Sequence, residues 1–164
     1  MDPLPTAWQT FFAAEVNATA ALTGLVAVAI SVNLTRILEQ ELLPARAGEA
    51  LIALVGALVL TSLMLLPDQP ARVQGAECGI VGTVMLAGPF SFQLHAYRSD
   101  TPNDRAHPLI RALLSSLGGV PMLVAAVLLA QGSAAGLYWA AGGVILSLIA
   151  GVIGAWVLLV EILR

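Results

Sequence analysis

Five long apolar stretches set the main constraint on how this chain can fold. They cover residues 11–34, 47–66, 75–94, 108–129 and 136–163 of the 164-residue sequence. A membrane-spanning helix needs about 20 consecutive, mostly apolar residues, and each stretch meets that length. The stretches are continuous rather than alternating in polarity, which argues against the strands of a membrane barrel. The sequence therefore predicts an all-α membrane protein, a bundle of five transmembrane helices that forms a single domain over residues 1–164.

The composition requires a lipid environment for most of the chain. Hydrophobic residues make up 59% of the sequence and charged residues only 10%, whereas soluble domains carry about 25% charged residues. The first ten residues, MDPLPTAWQT, contain no basic residue, so we do not expect a cleavable signal peptide. The links between the stretches are short, which predicts that neighbouring helices run antiparallel in one bundle.

The arginines orient the predicted bundle, because cytoplasmic loops of membrane proteins carry an excess of basic residues. All seven basic residues are arginine, and six of them fall on one predicted side: Arg36, Arg46, Arg98, Arg105, Arg111 and Arg164. Only Arg72 falls on the other side. We therefore expect the N-terminus outside and the C-terminus in the cytoplasm of a multi-pass protein of the bacterial inner membrane. Trp8, Phe11 and Phe12 would then anchor the outer end of the first helix.

Small residues recur every three or four positions in three of the stretches. The first stretch carries Ala13, Asn17, Ala20, Gly24, Ala27 and Ser31, the third carries Gly75, Gly79 and Gly82, and the fifth carries Gly143, Ser147, Gly151 and Gly154. Such ridges let helix backbones approach closely. They pack either inside one protomer or between the protomers of a homo-oligomer, and the sequence leaves both alternatives open. The residues predicted to pack helices are Gly24, Gly79, Gly82, Gly143, Ser147 and Gly151.

A second face of the first helix is polar at its outer end. The helical repeat places six residues on this face, roughly opposite the small residues: Glu15, Thr19, Thr23, Val26, Ile30 and Asn33. A charge below the membrane surface is costly and usually faces a cavity or a partner. Glu77, in the predicted first turn of the third helix, is expected at the same outer level.

These polar residues allow two interpretations. As candidates for a pore or ion site we take Glu15, Thr19, Thr23, Asn33 and Glu77. The alternative places the Glu15 carboxylate among lipid headgroups, and explains Glu77 by the favourable interaction of a carboxylate with a helix N-terminus.

Motifs for catalysis and for cofactor binding are missing from the sequence. It contains no HExxH, GxSxG, phosphate-loop or CxxC motif and no lysine, and its single cysteine, Cys78, excludes a multi-cysteine metal site. We therefore predict that the protein is not an enzyme and binds no cofactor or metal. The net charge of −3 argues against a nucleic-acid partner. The expected partners are membrane lipids, further copies of the chain and a larger membrane complex.

The segment AALTGLVAVAISVNLTRIL, from Ala20 to Leu38, is followed by LPARAGEAL, from Leu43 to Leu51. Together they resemble a group of uncharacterised small bacterial integral membrane proteins. Some members of that group carry automatic labels as modulators of a membrane protease. The resemblance covers the first two predicted spans, and it implies a small multi-pass membrane protein without assigning a role to any residue.

The function that these features favour is a small homo-oligomeric pore or ion-conducting protein. The polar face of the first helix would line the path, with Glu15 and Glu77 at an acidic outer mouth. Repeated around an oligomer, such carboxylates form a ring, and acidic rings select cations. The alternative is a non-conducting accessory or regulatory subunit, which docks on a larger membrane complex through its small-residue ridges.

Overall fold

The structure, a computed structural model, describes residues 4–40, 43–98 and 108–162, with side chains described except at 92–98, 108–116, 158, 161 and 162. Every regular element in these residues is a helix, which confirms the predicted all-α class. Their bounds are α1 Thr6–Val32, α2 Leu34–Glu39, α3 Leu43–Met64, α4 Ala71–Arg98, α5 Pro108–Ala130 and α6 Ala135–Ile162.

Three helices are long and apolar enough to cross a membrane. They are α1 over Thr6–Val32, α3 over Leu43–Met64 and the first part of α6, over Ala135–Val157. A shorter apolar stretch, Leu117–Ala130, lies in α5. Three of the five predicted spans are therefore membrane-crossing candidates within the described residues, and the protein is a helical membrane protein by length and composition.

Prolines mark the beginnings of four helices. Pro5 and Pro70 directly precede α1 and α4, while Pro44 and Pro108 lie in the first turns of α3 and α5. A first-turn proline is tolerated because its missing N–H would have no partner within the helix. As a result α1, α3 and α4 begin about four or five residues before the predicted spans. The first of these spans ends sooner, because Asn33 interrupts the helix and the short α2 follows.

The helices pack as an antiparallel bundle in which α5 lies between α4 and α6. Helix α3 packs against α6, α4 and α1, and α1 packs mainly on α3 with a smaller contact to α6. Helix α1 is therefore the outermost long helix. The core contains large side chains that are almost completely buried, among them Phe12, Leu54, Leu60, Met122 and Val144.

Glycines bring α5 into backbone contact with both of its neighbours. A Cβ atom added at Gly119 would lie 3.1 Å from the carbonyl oxygen of Gly82 in α4, and one added at Gly82 would lie 3.1 Å from the carbonyl oxygen of Gly119. On the opposite side, a Cβ atom added at Gly143 of α6 would lie 3.1 Å from the carbonyl oxygen of Gly118. Small residues at these crossings let the helices touch through their backbones.

The remaining predicted packing residues of α4 and α6 also have their contacts inside the chain. Gly79 packs against α5, and a Cβ atom added at Gly151 would lie 2.5 Å from Cγ of Leu54 in α3. Ser147 is completely buried and donates a hydrogen bond of 2.6 Å to the carbonyl oxygen of Gly143. The ridges of α4 and α6 therefore both pack inside the chain, which is the first of the two alternatives that the sequence left open.

Candidate functional site

An aromatic cluster fixes which helix ends lie together. Trp8 of α1 makes an edge-to-face contact with Tyr138 of α6 at a centroid distance of 4.8 Å, and it stacks on Phe12 at 5.9 Å. Phe11 contacts both Trp8 and Phe12 edge to face. The beginnings of α1 and α6 therefore lie at one end of the bundle, which we call the aromatic end.

Two turns connecting helices lie at this end as well. Gly75, near the start of α4, packs against the last residues of α5, since an added Cβ atom would lie 3.0 Å from the backbone nitrogen of Ala130. The α3–α4 and α5–α6 turns therefore belong to the aromatic end. Tyr138 was not among the predicted anchor residues, although its position at the start of an apolar stretch is typical of a membrane-interface tyrosine.

Glu15 lies on the inward face of α1. It is flanked on this face by Phe12 and Thr19, whose exposed fractions are both 0%. Because α1 packs mainly on α3, these residues are buried against the rest of the same chain. The sequence instead suggested that this face is turned away from the helix contacts, towards an aqueous path.

The Glu15 carboxylate has an unusual environment. The residue is partly buried, and its Oε2 atom is buried without any hydrogen-bond partner. Glu15 follows Trp8 by seven residues, which places it about 10 Å deeper along the helix axis than the aromatic cluster. A buried acceptor without a donor is destabilising, so a cation or a hydrogen-bond donor would stabilise this oxygen.

The hydroxyl groups below Glu15 bond to their own helix. Thr19 donates to the carbonyl oxygens of Glu15 and Val16 at 2.7 and 3.0 Å, and Thr23 donates to the carbonyl oxygen of Thr19 at 2.6 Å. Such bonds satisfy a hydroxyl within an apolar surrounding. Asn33 lies at the other end of α1, where its side chain donates to the carbonyl oxygen of Ala29 at 2.9 Å. The side chains of these three residues bond within α1 and do not converge on Glu15.

Glu77 lies at the aromatic end on a different helix. Because α4 begins at Ala71, Glu77 is in the second turn rather than the predicted first turn. Its Oε1 atom accepts a hydrogen bond of 2.6 Å from Nε2 of Gln69, in the α3–α4 turn. Helices α1 and α4 are not packed neighbours, so the structure brings Glu15 and Glu77 to the same end but does not join them in one site. Gln69 was missed because its eight-residue separation from Glu77 has no sequence signature.

The small-residue ridge of α1, residues Ala13, Asn17, Ala20, Gly24, Ala27 and Ser31, is exposed over its whole length. A Cβ atom added at Gly24 would meet nothing within 4 Å. Packing of this ridge inside the protomer, one of the two predicted alternatives, is therefore wrong for α1. Packing between molecules stays a prediction.

Asn17 places a polar group on the ridge. Its Nδ2 atom donates a hydrogen bond of 3.0 Å to the carbonyl oxygen of Ala13, and the side chain is exposed. An amide carries one acceptor and two N–H groups, so the exposed side chain has capacity for a further hydrogen bond. In a bilayer, that bond has to come from another helix or from a headgroup.

The described residues contain no group of three or more His, Cys, Asp or Glu side chains that could hold a metal ion. Cys78 is a free, buried thiol in α4. Comparison with known protein families, curated proteins and solved structures found no match to the chain.

Proposed function

We propose that all five long helices cross a bacterial inner membrane, with the N-terminus outside and the C-terminus in the cytoplasm. Helices α4 and α5 support this count because they pack along the same bundle as the apolar helices α3 and α6. The bilayer that covers α3 and α6 must then also cover their packed neighbours. The arginine distribution supports the orientation. Arg36 in α2 and Arg46 in the first turn of α3 lie at the end of the bundle opposite the aromatic end. Arg105 and Arg164 lie outside the described residues, as do the side chains of Arg98 and Arg111.

We propose that the protein is a non-conducting accessory subunit, which acts by docking a transmembrane helix on the exposed ridge of α1. The observation that carries this proposal is the contrast between the ridges. Those of α4 and α6 are used in internal packing, whereas a Cβ atom added at Gly24 of α1 meets no other atom within 4 Å.

The physics of helix association in lipid favours such docking. Lipid tails are as apolar as a helix surface, so association depends on close backbone contact and on hydrogen bonds between helices. The α1 ridge offers both, through Gly24 and through Asn17. An interhelical hydrogen bond in a membrane contributes about 0.6–2 kcal/mol. The helix proposed to dock on this ridge is α1 of a second copy of the chain. The protein is then a homo-oligomer.

The test replaces Gly24 with leucine. Gly142 of α6 provides the matched control, since a Cβ atom added there also meets nothing within 4 Å. In a mild detergent, the unmodified protein and Gly142→Leu should elute as oligomers of the same mass, and Gly24→Leu should elute as a folded monomer. An oligomer that survives Gly24→Leu would contradict docking through this ridge. A monomeric unmodified protein would contradict the docking of a second copy and would leave a helix of a different membrane protein as the partner.

Ion conduction is the second candidate function, and the unpartnered Oε2 atom of Glu15 favours it. Since the face of α1 that carries Glu15 packs against α3, the conducting path would run inside each protomer rather than along a ring of α1 helices. Cation flux into reconstituted vesicles distinguishes the two proposals. The accessory subunit leaves flux at the level of empty vesicles. A flux that Glu15→Gln lowers, and that the exposed control Glu39→Gln does not, would instead establish the pore.

A further inference from the structure

One side of α6 exposes large apolar side chains between two aromatic residues. Tyr138 begins this face and Trp156 lies near its other end, with exposed fractions of 71% and 68%. Trp156 follows Tyr138 by 18 residues, which is about five turns of an α-helix, so both lie on the same side of α6. We call this side the outer face of α6. The other large exposed residues on it are Ile145, Ile149, Val152 and Ile153.

The outer face of α6 differs in chemistry from the α1 ridge. Its aliphatic residues are all branched at Cβ, and no polar side chain is exposed between its aromatic ends. Gly142 also lies on this side, but the residues three and four positions away are all large: Tyr138, Trp139, Ile145 and Leu146. Helices in a bilayer associate through small residues and hydrogen bonds, because bulky apolar side chains lie equally well against lipid tails. Acyl chains therefore suit this face, and a second helix gains little from it.

The two aromatic residues suit the boundaries of a bilayer. Tyrosine and tryptophan combine an apolar ring with an O–H or N–H group, and both are enriched where hydrocarbon meets the headgroups. Tyr138 lies at the aromatic end, where its ring contacts Trp8 at a centroid distance of 4.8 Å. Trp156 lies about 27 Å further along the helix axis. This distance is close to the hydrocarbon thickness of a typical bilayer, about 30 Å.

The packing of α3 on α6 marks the same inner level. A Cβ atom added at Gly154 would lie 3.2 Å from Cβ of Ala50. Since α3 runs antiparallel to α6, Glu49 lies at about the level of Trp156. Between Glu49 and Asp68 the chain has no ionisable residue, and Asp68 is exposed in the turn at the aromatic end. Charged groups are costly in hydrocarbon, so this part of α3 indicates the same depth as the outer face of α6.

We propose that lipid acyl chains cover the outer face of α6, and that Tyr138 and Trp156 lie at the two boundaries of the hydrocarbon layer. The thickness that the protein fits is then about 27 Å for an upright helix and about 25 Å at an average tilt of about 20°. This proposal rests on the proposed crossing of the membrane by α6. It is independent of docking through α1, because it involves no residue of the α1 ridge.

Hydropathy by itself would place the inner boundary further along α6. The helix stays apolar as far as Val160, and its first charged residue is Glu161. A boundary there would lie about 7 Å beyond Trp156, and it would put the indole group and the level of Glu49 inside the hydrocarbon. The depth of Trp156 therefore decides between the two boundaries.

Fluorescence quenching by brominated lipids measures the depth of a tryptophan. Three full-length variants each keep a single tryptophan on the outer face of α6 and carry phenylalanine in place of every other tryptophan. The first retains Trp156, the second carries Tyr138→Trp, and the third carries Ile149→Trp as the control, about 10 Å from Trp156 along the helix. Each is reconstituted into phosphatidylcholine vesicles with bromine either near the headgroups or near the ends of the acyl chains.

The ratio of the two quenching efficiencies should reverse along the helix. Trp156 and the Tyr138→Trp variant should be quenched more strongly by the shallow bromine, because both positions lie at a boundary. The Ile149→Trp variant should be quenched more strongly by the deep bromine, because this position lies near the middle of the layer.

Three results would contradict the proposal in different ways. Stronger quenching of Trp156 by the deep bromine would move the inner boundary towards Glu161. An Ile149→Trp variant that neither lipid quenches would show that protein, rather than lipid, covers the outer face of α6. Shallow quenching in all three variants would show that α6 does not cross the bilayer, and that result would also reject the proposed membrane crossing.

Discussion

A graded series of Gly→Ala substitutions tests whether the helices are packed as described. Gly75, Gly56 and Gly24 lie in helix interiors, and each substitution adds one methyl group. Differences in helix propensity between Gly and Ala are therefore common to the three variants. What differs is the atom that the new methyl group meets, so their relative free energies of unfolding report the surroundings of each glycine.

At Gly75 the new Cβ atom meets backbone. It would lie 2.8 Å from the carbonyl oxygen of Ala126 and 3.0 Å from the backbone nitrogen of Ala130. Ordinary contacts begin at 3.4 Å, so α4 and α5 must separate by about 0.6 Å. Overpacking of this kind costs about 1–3 kcal/mol.

At Gly56 the obstacle is a side chain that can move. The new Cβ atom would lie 2.5 Å from Sδ of Met85, and a change in the Met85 torsions relieves the contact at about 0.5–1.5 kcal/mol. At Gly24 nothing lies within 4 Å, and we expect no packing cost. The predicted order of stability is therefore Gly24→Ala, then Gly56→Ala, then Gly75→Ala.

Reversible unfolding in mixed detergent micelles measures this order. A difference of 1.4 kcal/mol between Gly24→Ala and Gly75→Ala changes the unfolding equilibrium tenfold. Equal stabilities for these two variants would refute the backbone contact between α4 and α5. A Gly24→Ala variant that is the least stable of the three would show that the α1 ridge is packed against a helix, either inside the protomer or in a second copy.

Two further predictions concern burial and topology. Cys78 is the only cysteine and has an exposed fraction of 0%. A membrane-permeant maleimide should therefore label the unfolded protein in detergent and leave the folded protein unmodified. Rapid labelling of the folded protein would place the thiol at the surface. A reporter enzyme that functions only in the cytoplasm should be active when it is fused after the C-terminus. Activity of a reporter that functions only in the periplasm would reject both the proposed orientation and the count of five spans.

The helices were predictable because their apolar stretches and prolines are local signals. Pro44, Pro70 and Pro108 stand at the beginnings of α3, α4 and α5, and the apolar stretches are long enough for helices. The prediction of the α1 surface was less successful. In water, a polar face is the exposed face, but lipid and protein interior are both apolar, so hydrophobicity does not identify the buried side of a membrane helix. For this reason the sequence did not predict that Glu15 and Thr19 face inward and that Gly24 faces outward.

The candidate site depended on contacts between distant residues. Gln69 and Tyr138 became relevant only when the turns and the helix ends were assembled, since neither belongs to a motif. The spacing of Gly82 and Gly143 predicted close packing between helices. It did not predict which helix would be the neighbour. In the structure that neighbour is α5, where Gly119 lies against Gly82 and Gly118 lies against Gly143.

The contact between Trp8 and Tyr138 has a consequence for the order in which the bundle is completed during synthesis. The two residues are about 130 positions apart, and chains are made from the N-terminus at about 5–20 residues per second. Helix α1 therefore waits on the order of ten seconds for the partner of its first aromatic residue. During that interval the aromatic end is open, and a chain that stops before α6 never closes it.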